Sequence, residues 1–529
     1  MKTLILKNCH ILTFNPTQPK ANALAIRDGR FLLVGSTDEV LSQCGQDAYI
    51  QDLQGRCVLP GLTDAHIHML EYGFSLQRVN CETETREACL ERVRVRAQTT
   101  TGSEWIRGHG WNHHIWPEGT GDKSLLDSVS PQNPVYLTHK SLHSAWANSA
   151  ALKAAGIQAS TDDPPGGQIL RDKKGQPTGI LLESAMRLLE AAVPHPDQAT
   201  RIKALLAAQE NLLVLGITST HDFDPWEVYA ALQEIEANQQ LRLRVMKGVP
   251  LPNLDEAIQN GLKSGMGNDH LTIGWLKLFA DGALGPQTAA MLAPYEGSQD
   301  TGMLLLDQEE ISTIGNKALN NGLSLAVHAI GDHANREVLD GYAQLARSGS
   351  LSQSRLPVRI EHLQLIHPED ISRLAALGVT ASMQPIHALS DREMAERYWG
   401  NRCEYAYAWN SVASTGAKLI FGSDAPVESP NPYWGLATAI SRTSPWNSVP
   451  QSGWRTKQCL DPVSALTAYV RTPHQCAGKG DRLGQIKAGF LADLVVLPYD
   501  PLILNADEVA ALMPNATMVD GQWVNGRLE

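Results

Sequence analysis

Pro60-Gly61-Leu62-Thr63-Asp64-Ala65-His66-Ile67-His68 is the stretch on which the fold turns. It continues the apolar run Cys57-Val58-Leu59 and reads as a short strand ending in two histidines. Side chains at i and i+2 share a strand face, so His66 and His68 point one way while Ile67 packs behind them. Neutral imidazoles are favoured ligands of zinc and its neighbours, and two on one wall can share an ion. A bare His-x-His is common, so its meaning depends on whether similar strand ends recur.

They do recur. Four times a helical stretch ends at glycine and runs straight into an apolar strand: Gly216 into 217–222, Gly322 into 323–328, Gly378 into 379–384 and Gly416 into 417–424. Helix–glycine–strand repetition marks βα units with parallel strands. Adding the strands before His68 and at 134–138, 273–279 and 358–363 gives eight, which predicts a (β/α)8 barrel. His68, Asp222, Asp281, His328, His362, Gln384 and Asp424 each close such a strand. Barrel active sites are built at those C-terminal ends. A doubly wound sheet also has parallel βα units, but it would not gather polar residues from so many strands at one place.

Outside the barrel the rhythm changes. The first 56 residues alternate in strand fashion, with a hairpin signal at Asp28-Gly29, and strands return at 492–497 and 518–524. Neither end has enough strands to bury a core alone. The expected organisation is a composite β-sandwich of residues 1–58 and 481–529 and a barrel of residues 59–480. The segment at about 74–196 is too long for one βα connection and reads as an inserted subdomain over the barrel mouth. Its Trp105, Trp111, Trp116 and Trp146 either wall an apolar pocket or form the subdomain's own core.

Length and composition are those of a globular protein with one large and one accessory domain. The formal net charge of −12 argues against nucleic acid or an anionic membrane as the main partner. The eight scattered cysteines include no Cys-x-x-Cys pair, which suggests reduced thiols in a cytoplasmic setting. Lys7, Asn8 and His10 interrupt the apolar start too early for a signal peptide, and no apolar run is long enough to span a bilayer.

His66, His68, His328, His362 and Asp424 therefore form a candidate metal constellation: neutral imidazoles plus a carboxylate, as a catalytic site requires. A metal there lowers the pKa of water, and Asp424 would accept the proton and later pass it to a leaving group. Lys277 lies in the apolar strand Trp275-Leu276-Lys277-Leu278-Phe279. A buried lysine must be paired or altered: it is either Nζ-carboxylated and bridges two metals, or ion-paired to Asp281 or to a carboxylate at the mouth. His109, His113 and His114 could hold a second metal but read better as pocket lining or surface. No Gly-x-Ser-x-Gly elbow, Walker loop or Gly-x-Gly-x-x-Gly occurs.

These motifs, together with Gly108-His109-Gly110-Trp111, His143-Ser144-Ala145-Trp146-Ala147-Asn148-Ser149, Lys277-Leu278-Phe279-Ala280-Asp281-Gly282, His328-Ala329-Ile330-Gly331-Asp332, Arg359-Ile360-Glu361-His362 and Phe421-Gly422-Ser423-Asp424-Ala425-Pro426, resemble the amidohydrolase superfamily. More narrowly the chain resembles the YtcJ-like branch, which includes N-substituted formamide deformylases. The resemblance implies a barrel with a composite β-sandwich and metal-activated hydrolysis, commonly of a C–N bond. By that likeness His66, His68, Lys277, His328, His362 and Asp424 take the metal and catalytic roles. His143 would face the substrate carbonyl, or be a loop histidine. Glu183 would be a ligand, a partner of one, or a helix-surface carboxylate, and Asp281 and Trp111 would support the site or the substrate.

The chain also departs from that branch. Ala283, Pro286 and Gln287 stand where it usually shows a serine and then a serine–arginine pair, and Asn112 stands where it has an acid. Both places are expected to touch substrate. The reading is a hydrolase of an amide-like, non-peptide C–N bond in a small molecule, using one or two divalent ions, with zinc expected. The alternatives are an ester, lactone or carbamate hydrolase, and a non-catalytic ligand-binding relative. A homodimer, as such barrels often form, is the expected assembly.

Overall fold

The computed structural model describes residues 2–102, 104–113, 115–141, 143–443 and 453–526. They fall into two compact units, one of residues 1–72 and 205–529 and one of residues 73–204.

In the larger unit eight parallel strands follow one another in chain order around a single sheet. They are β1 (Leu62–Ile67), β2 (Ile217–Asp222), β3 (Arg244–Pro250), β4 (Leu271–Phe279), β5 (Leu325–Ala329), β6 (Arg359–His362), β7 (Thr380–Met383) and β8 (Leu419–Phe421). The sheet nearly closes on itself. Just beyond β8 the Asp424 N–H donates to the His66 carbonyl at 2.7 Å. A Cβ at Gly422 would lie 2.4 Å from the His66 nitrogen, so glycine is what lets β8 approach β1. This is the (β/α)8 barrel, with mixed α/β architecture, that the sequence predicted.

One strand of the count needs correction. The stretch at 134–138 is not in the barrel: Val135–His139 belongs to the smaller unit's sheet, between Ile106–Trp111 and Ser144–Ala147. The eighth barrel strand is β3, whose Arg244 and Lys247 break the apolar pattern. Both cations are buried and neutralised by distant acids. Arg244 forks onto Asp493 at 2.6 and 2.8 Å and also meets Asp520 at 2.5 Å. Lys247 Nζ lies 3.1 Å from Asp222.

The two ends of the chain share a six-stranded sheet in the order Gln522–Asn525, Ala516–Val519, Leu494–Leu497, Cys57–Pro60, His10–Leu12, Lys20–Ala21. A four-stranded sheet runs Arg30–Gly35, Ala23–Arg27, Leu4–Lys7, Tyr49–Asp52. One cluster of buried residues draws on both, including Leu6, Leu24 and Phe31 from the start of the chain and Leu494, Val496 and Met518 from its end. Burial of such side chains is worth about 1.5–3 kcal/mol each.

The smaller unit is a mixed six-stranded sheet with helices Arg86–Gln98, Lys123–Val129 and Ser149–Ala154. Trp111, Trp116 and Trp146 are buried in its core. Each indole N–H donates to a backbone carbonyl, of Leu137, Thr83 and Asp122 respectively, at 2.9–3.0 Å. That resolves the tryptophan question: these three are core residues, and Trp105 is only partly buried against the neighbouring cluster. Among the described residues no helix is long and apolar enough to cross a membrane.

Candidate metal centre

The strand ends bring six of the expected residues to one cavity of about 300 Å³: His66, His68, Lys277, His328, His362 and Asp424. His66 lies in β1 and His68 follows it, Lys277 is two residues short of the end of β4, His328 is one short of the end of β5, His362 closes β6, and Asp424 follows β8. His66, His68 and Asp424 offer ligand atoms that all lie within 4.8 Å of one another. The His362 ring stands 4.8 Å from that of His66 and 4.6 Å from that of His328, centroid to centroid. His362 at φ +74° and Asp424 at φ +60° sit in the left-handed region, where strain is commonly kept for function.

Hydrogen bonds decide which nitrogen each ring has to offer. His66 Nδ1 is taken by Glu361 at 2.5 Å and His362 Nδ1 by Gln384 at 2.9 Å, which leaves Nε2 of each. His68 Nδ1 lies 3.6 Å from Asp224, and its Nε2 faces Asp424 at 3.4 Å. His328 is reversed: its Nε2 meets the Gly282 carbonyl at 2.9 Å, so Nδ1 is the remaining donor atom.

Burial sets the charge states. Burial, with Lys277 close by, pushes His66 down to about 4 and His328 to about 3, and it takes His362 well below its ordinary range. These rings are neutral at pH 7, as ligands must be. Burial opposes protonation of His68 too, but Asp224 and Asp424 outweigh it and raise that ring to about 10. A proton and a metal therefore compete for His68. Burial would raise the Asp424 carboxyl, yet His68, His66, His362 and His387 hold it well below the carboxylate range.

Lys277 answers the ion-pair alternative. Its Nζ is buried and hydrogen-bonds nothing among the described residues. Phe223 and Phe279 lie 4.8 and 5.1 Å from it. Asp281 is engaged elsewhere, accepting the backbone N–H groups of Ala290, Ile330 and Gly331 at 2.8–3.0 Å. Burial lowers Lys277 to about 8, so a neutral amine is accessible.

Of the other expected residues, Asp281 lies 3.5 Å from His328 Nε2. His143 and Glu183 belong to the smaller unit, where they pair at 3.1 Å on an exposed surface. Trp111 is in that unit's core. His109 there bonds Thr138 at 2.8 Å, and His114 lies outside the described residues.

Other groups around the centre were not singled out from the sequence. Glu361 grips His66 and is gripped by Arg359, which also bonds His221 at 2.9 Å and Ser382 at 2.6 Å. Burial would raise Glu361, but Arg359 and then His66 hold it well down. Asp64 accepts from Ser423 Oγ at 2.5 Å and the His66 N–H at 3.1 Å, tying β1 to the turn that carries Asp424. Arg359, Glu361 and Ser423 all stood inside quoted motifs; only their long-range partners reveal what they do. His387, at the start of the short helix that follows β7, also lines the cavity.

A parallel barrel with neutral imidazoles, a carboxylate and an unpartnered lysine at its mouth defines a class, the barrel hydrolases that work with a divalent metal. Known proteins agree. The amidohydrolase family model matches residues 50–525. The chain is 30% identical to the putative amidohydrolase YtcJ of Bacillus subtilis, with 96% of each chain covered. It is 28% identical to the N-substituted formamide deformylase of Arthrobacter pascens, with 98% of each covered. A solved structure, an uncharacterized metal-dependent hydrolase from Pyrococcus furiosus, superposes with a TM-score of 0.78 at 27% identity, covering 94% of this chain and 100% of that one. The chain belongs to the amidohydrolase family, in its YtcJ-like branch, and is a metal-dependent hydrolase.

Proposed function

We propose that this hydrolase cleaves an amide-like, non-peptide C–N bond of a small molecule. The observation that carries the reading is the convergence of four histidines, Asp424 and the unpartnered Lys277 on one small cavity. The donor set suits zinc: imidazole nitrogens with a carboxylate. The orphaned Lys277 Nζ adds a place for a carbamate. Addition of its amine lone pair to carbon dioxide, with loss of a proton, would give a bridging carboxylate between two ions. The relative that hydrolyses N-substituted formamides supports the C–N assignment. Eight unpaired thiols support a reducing compartment such as the cytoplasm.

Bound at these residues, a divalent cation supplies Lewis-acid polarisation of water and of the scissile carbonyl. Asp424 is ionised and takes the proton of the attacking water as its oxygen bonds to the carbonyl carbon. As the C–N bond breaks, Asp424 returns that proton to the leaving nitrogen. Glu361 and Gln384 keep the His66 and His362 rings in the tautomer that presents Nε2. Phe279, Leu284 and Ile330 give the cavity an apolar wall that limits stray water.

Elemental analysis of wild type and Lys277→Ala tests the centre. Close to two ions per chain, falling to one or none in the variant, is expected; one ion in both would overturn the bridge. Rates on matched simple amides and esters test the bond: hydrolysis of esters alone would overturn the C–N reading.

A further inference from the structure

The two oxygens of Asp424 face different surroundings. Oδ1 faces the ligand histidines, 3.5 Å from His66 Nε2 and 3.4 Å from His68 Nε2. Oδ2 is the oxygen nearer His387, 3.9 Å from its Nε2. His387 opens the short helix His387–Ser390 just after β7 and is buried. Its Nε2 hydrogen-bonds nothing among the described residues.

The other side of that ring is fixed. Gln364 Nε2 lies 3.3 Å from His387 Nδ1, and an amide N–H can only donate. Nδ1 therefore accepts, and the ring proton sits on Nε2, aimed at Asp424. The backbone carbonyl of Gln364 accepts the Tyr407 N–H at 2.6 Å, which anchors the main chain that carries this amide. The Asp391 N–H donates to the His387 carbonyl at 2.9 Å, which anchors the backbone. The ring also lies nearly parallel to His362, 6.4 Å away. The result is a ring whose Nε2 points at Asp424 Oδ2, with that acceptor just beyond hydrogen-bond length.

We propose that His387 is a positioning residue that takes Asp424 Oδ2 as its hydrogen-bond acceptor and so keeps Oδ1 directed at the metal-binding histidines. The inference rests on the reading of Asp424 as a ligand. A carboxylate that could rotate freely would present either oxygen, or both, to the histidines. The His387 N–H makes the two oxygens unequal: one for the ion, the other held in place. Gln364 is the second member of the device, since without its amide the ring is free to carry the proton on Nδ1 and offer Asp424 a lone pair.

The test is zinc affinity of the full chain, measured by competition with a chromogenic chelator, for wild type, His387→Leu, His387→Gln and Gln364→Leu. His387→Leu should weaken zinc binding by about tenfold or more, as loss of a partner of a metal ligand does. His387→Gln restores a donor near the position of Nε2 and should recover most of that loss, whereas Gln364→Leu should fall between. Thermal unfolding of the metal-free proteins should be unchanged for His387→Gln and Gln364→Leu, which separates positioning from folding. Equal zinc affinity in all four proteins overturns the inference, as does a glutamine variant no better than leucine. If the affinities follow the expected order but no amide is hydrolysed, the inference stands and the C–N reading falls. If wild type binds no zinc, both fall.

Discussion

Arg244 begins β3, and Lys277 stands two residues from the end of β4, so these cations lie toward opposite ends of neighbouring barrel strands. Both are almost wholly buried, at 2% and 4% exposure. Arg244 is surrounded: Asp493 takes it with both oxygens, and Asp520 and the Asp269 carbonyl complete the set. Lys277 has aromatic faces beside it and, among the described residues, no hydrogen-bond acceptor. A buried charge with every donor satisfied serves the fold, whereas one left unsatisfied is tolerated only where a ligand completes it. The base of the barrel and its mouth thus treat the same kind of group in opposite ways.

The sharpest test of the mouth is Asp424→Asn, which keeps shape and removes the base. kcat should fall by about a thousandfold with KM little changed, the size expected for loss of general acid–base catalysis. Steady-state kinetics on the best amide substrate checks this.

At the base, Arg244→Met should lower stability by about 3–5 kcal/mol, because it leaves Asp493 buried without its partner. Urea unfolding reads that loss, and kcat per folded molecule should be unchanged. Lys277→Met breaks the comparison if it behaves the same way. Instead the metal-free variant should be more stable than metal-free wild type by about 1–2 kcal/mol, since an unpartnered buried amine is removed, while its metal content falls.

The smallest effect concerns Asp520. Burial would raise this carboxyl, but His270 and Arg244 lower it from 3.8 to about 2. A carboxyl lowered on folding stabilises the protein above its unfolded pKa. The contribution is therefore complete above about pH 4 and is lost as pH falls toward 2. Asp520→Asn should flatten that segment of the acid unfolding curve and leave stability near pH 2 unchanged relative to wild type.

The barrel was legible because glycine-terminated helices and strand-end polar residues are local signals. The strand that was misplaced shows the limit of such signals. Val135–His139 is apolar, ends in Thr138 and His139, and even pairs in parallel with its neighbour, so nothing within it says which sheet it joins. β3 was hidden for the opposite reason, since its Arg244 and Lys247 look like surface residues until Asp493 and Asp222 are placed beside them. The same logic divides the site. His66, His68, Lys277, His328, His362 and Asp424 announce themselves by residue type at a strand end or inside an apolar strand. Glu361, Asp224 and His387 are ordinary polar residues in sequence, and their roles exist only through contacts with residues far along the chain.

The shared terminal sheet sets a schedule for synthesis. Cys57–Pro60 pairs with Leu494–Leu497, register Pro60 to Leu494, across almost the whole chain. At ribosomal speeds that partner emerges on the order of 20–90 s later. During that interval one edge of Cys57–Pro60 has no partner, and a bare strand edge is a template for pairing with another chain. Nascent copies on neighbouring ribosomes are thus the hazard this topology creates, and early-chain strands should be where a holdase is needed first.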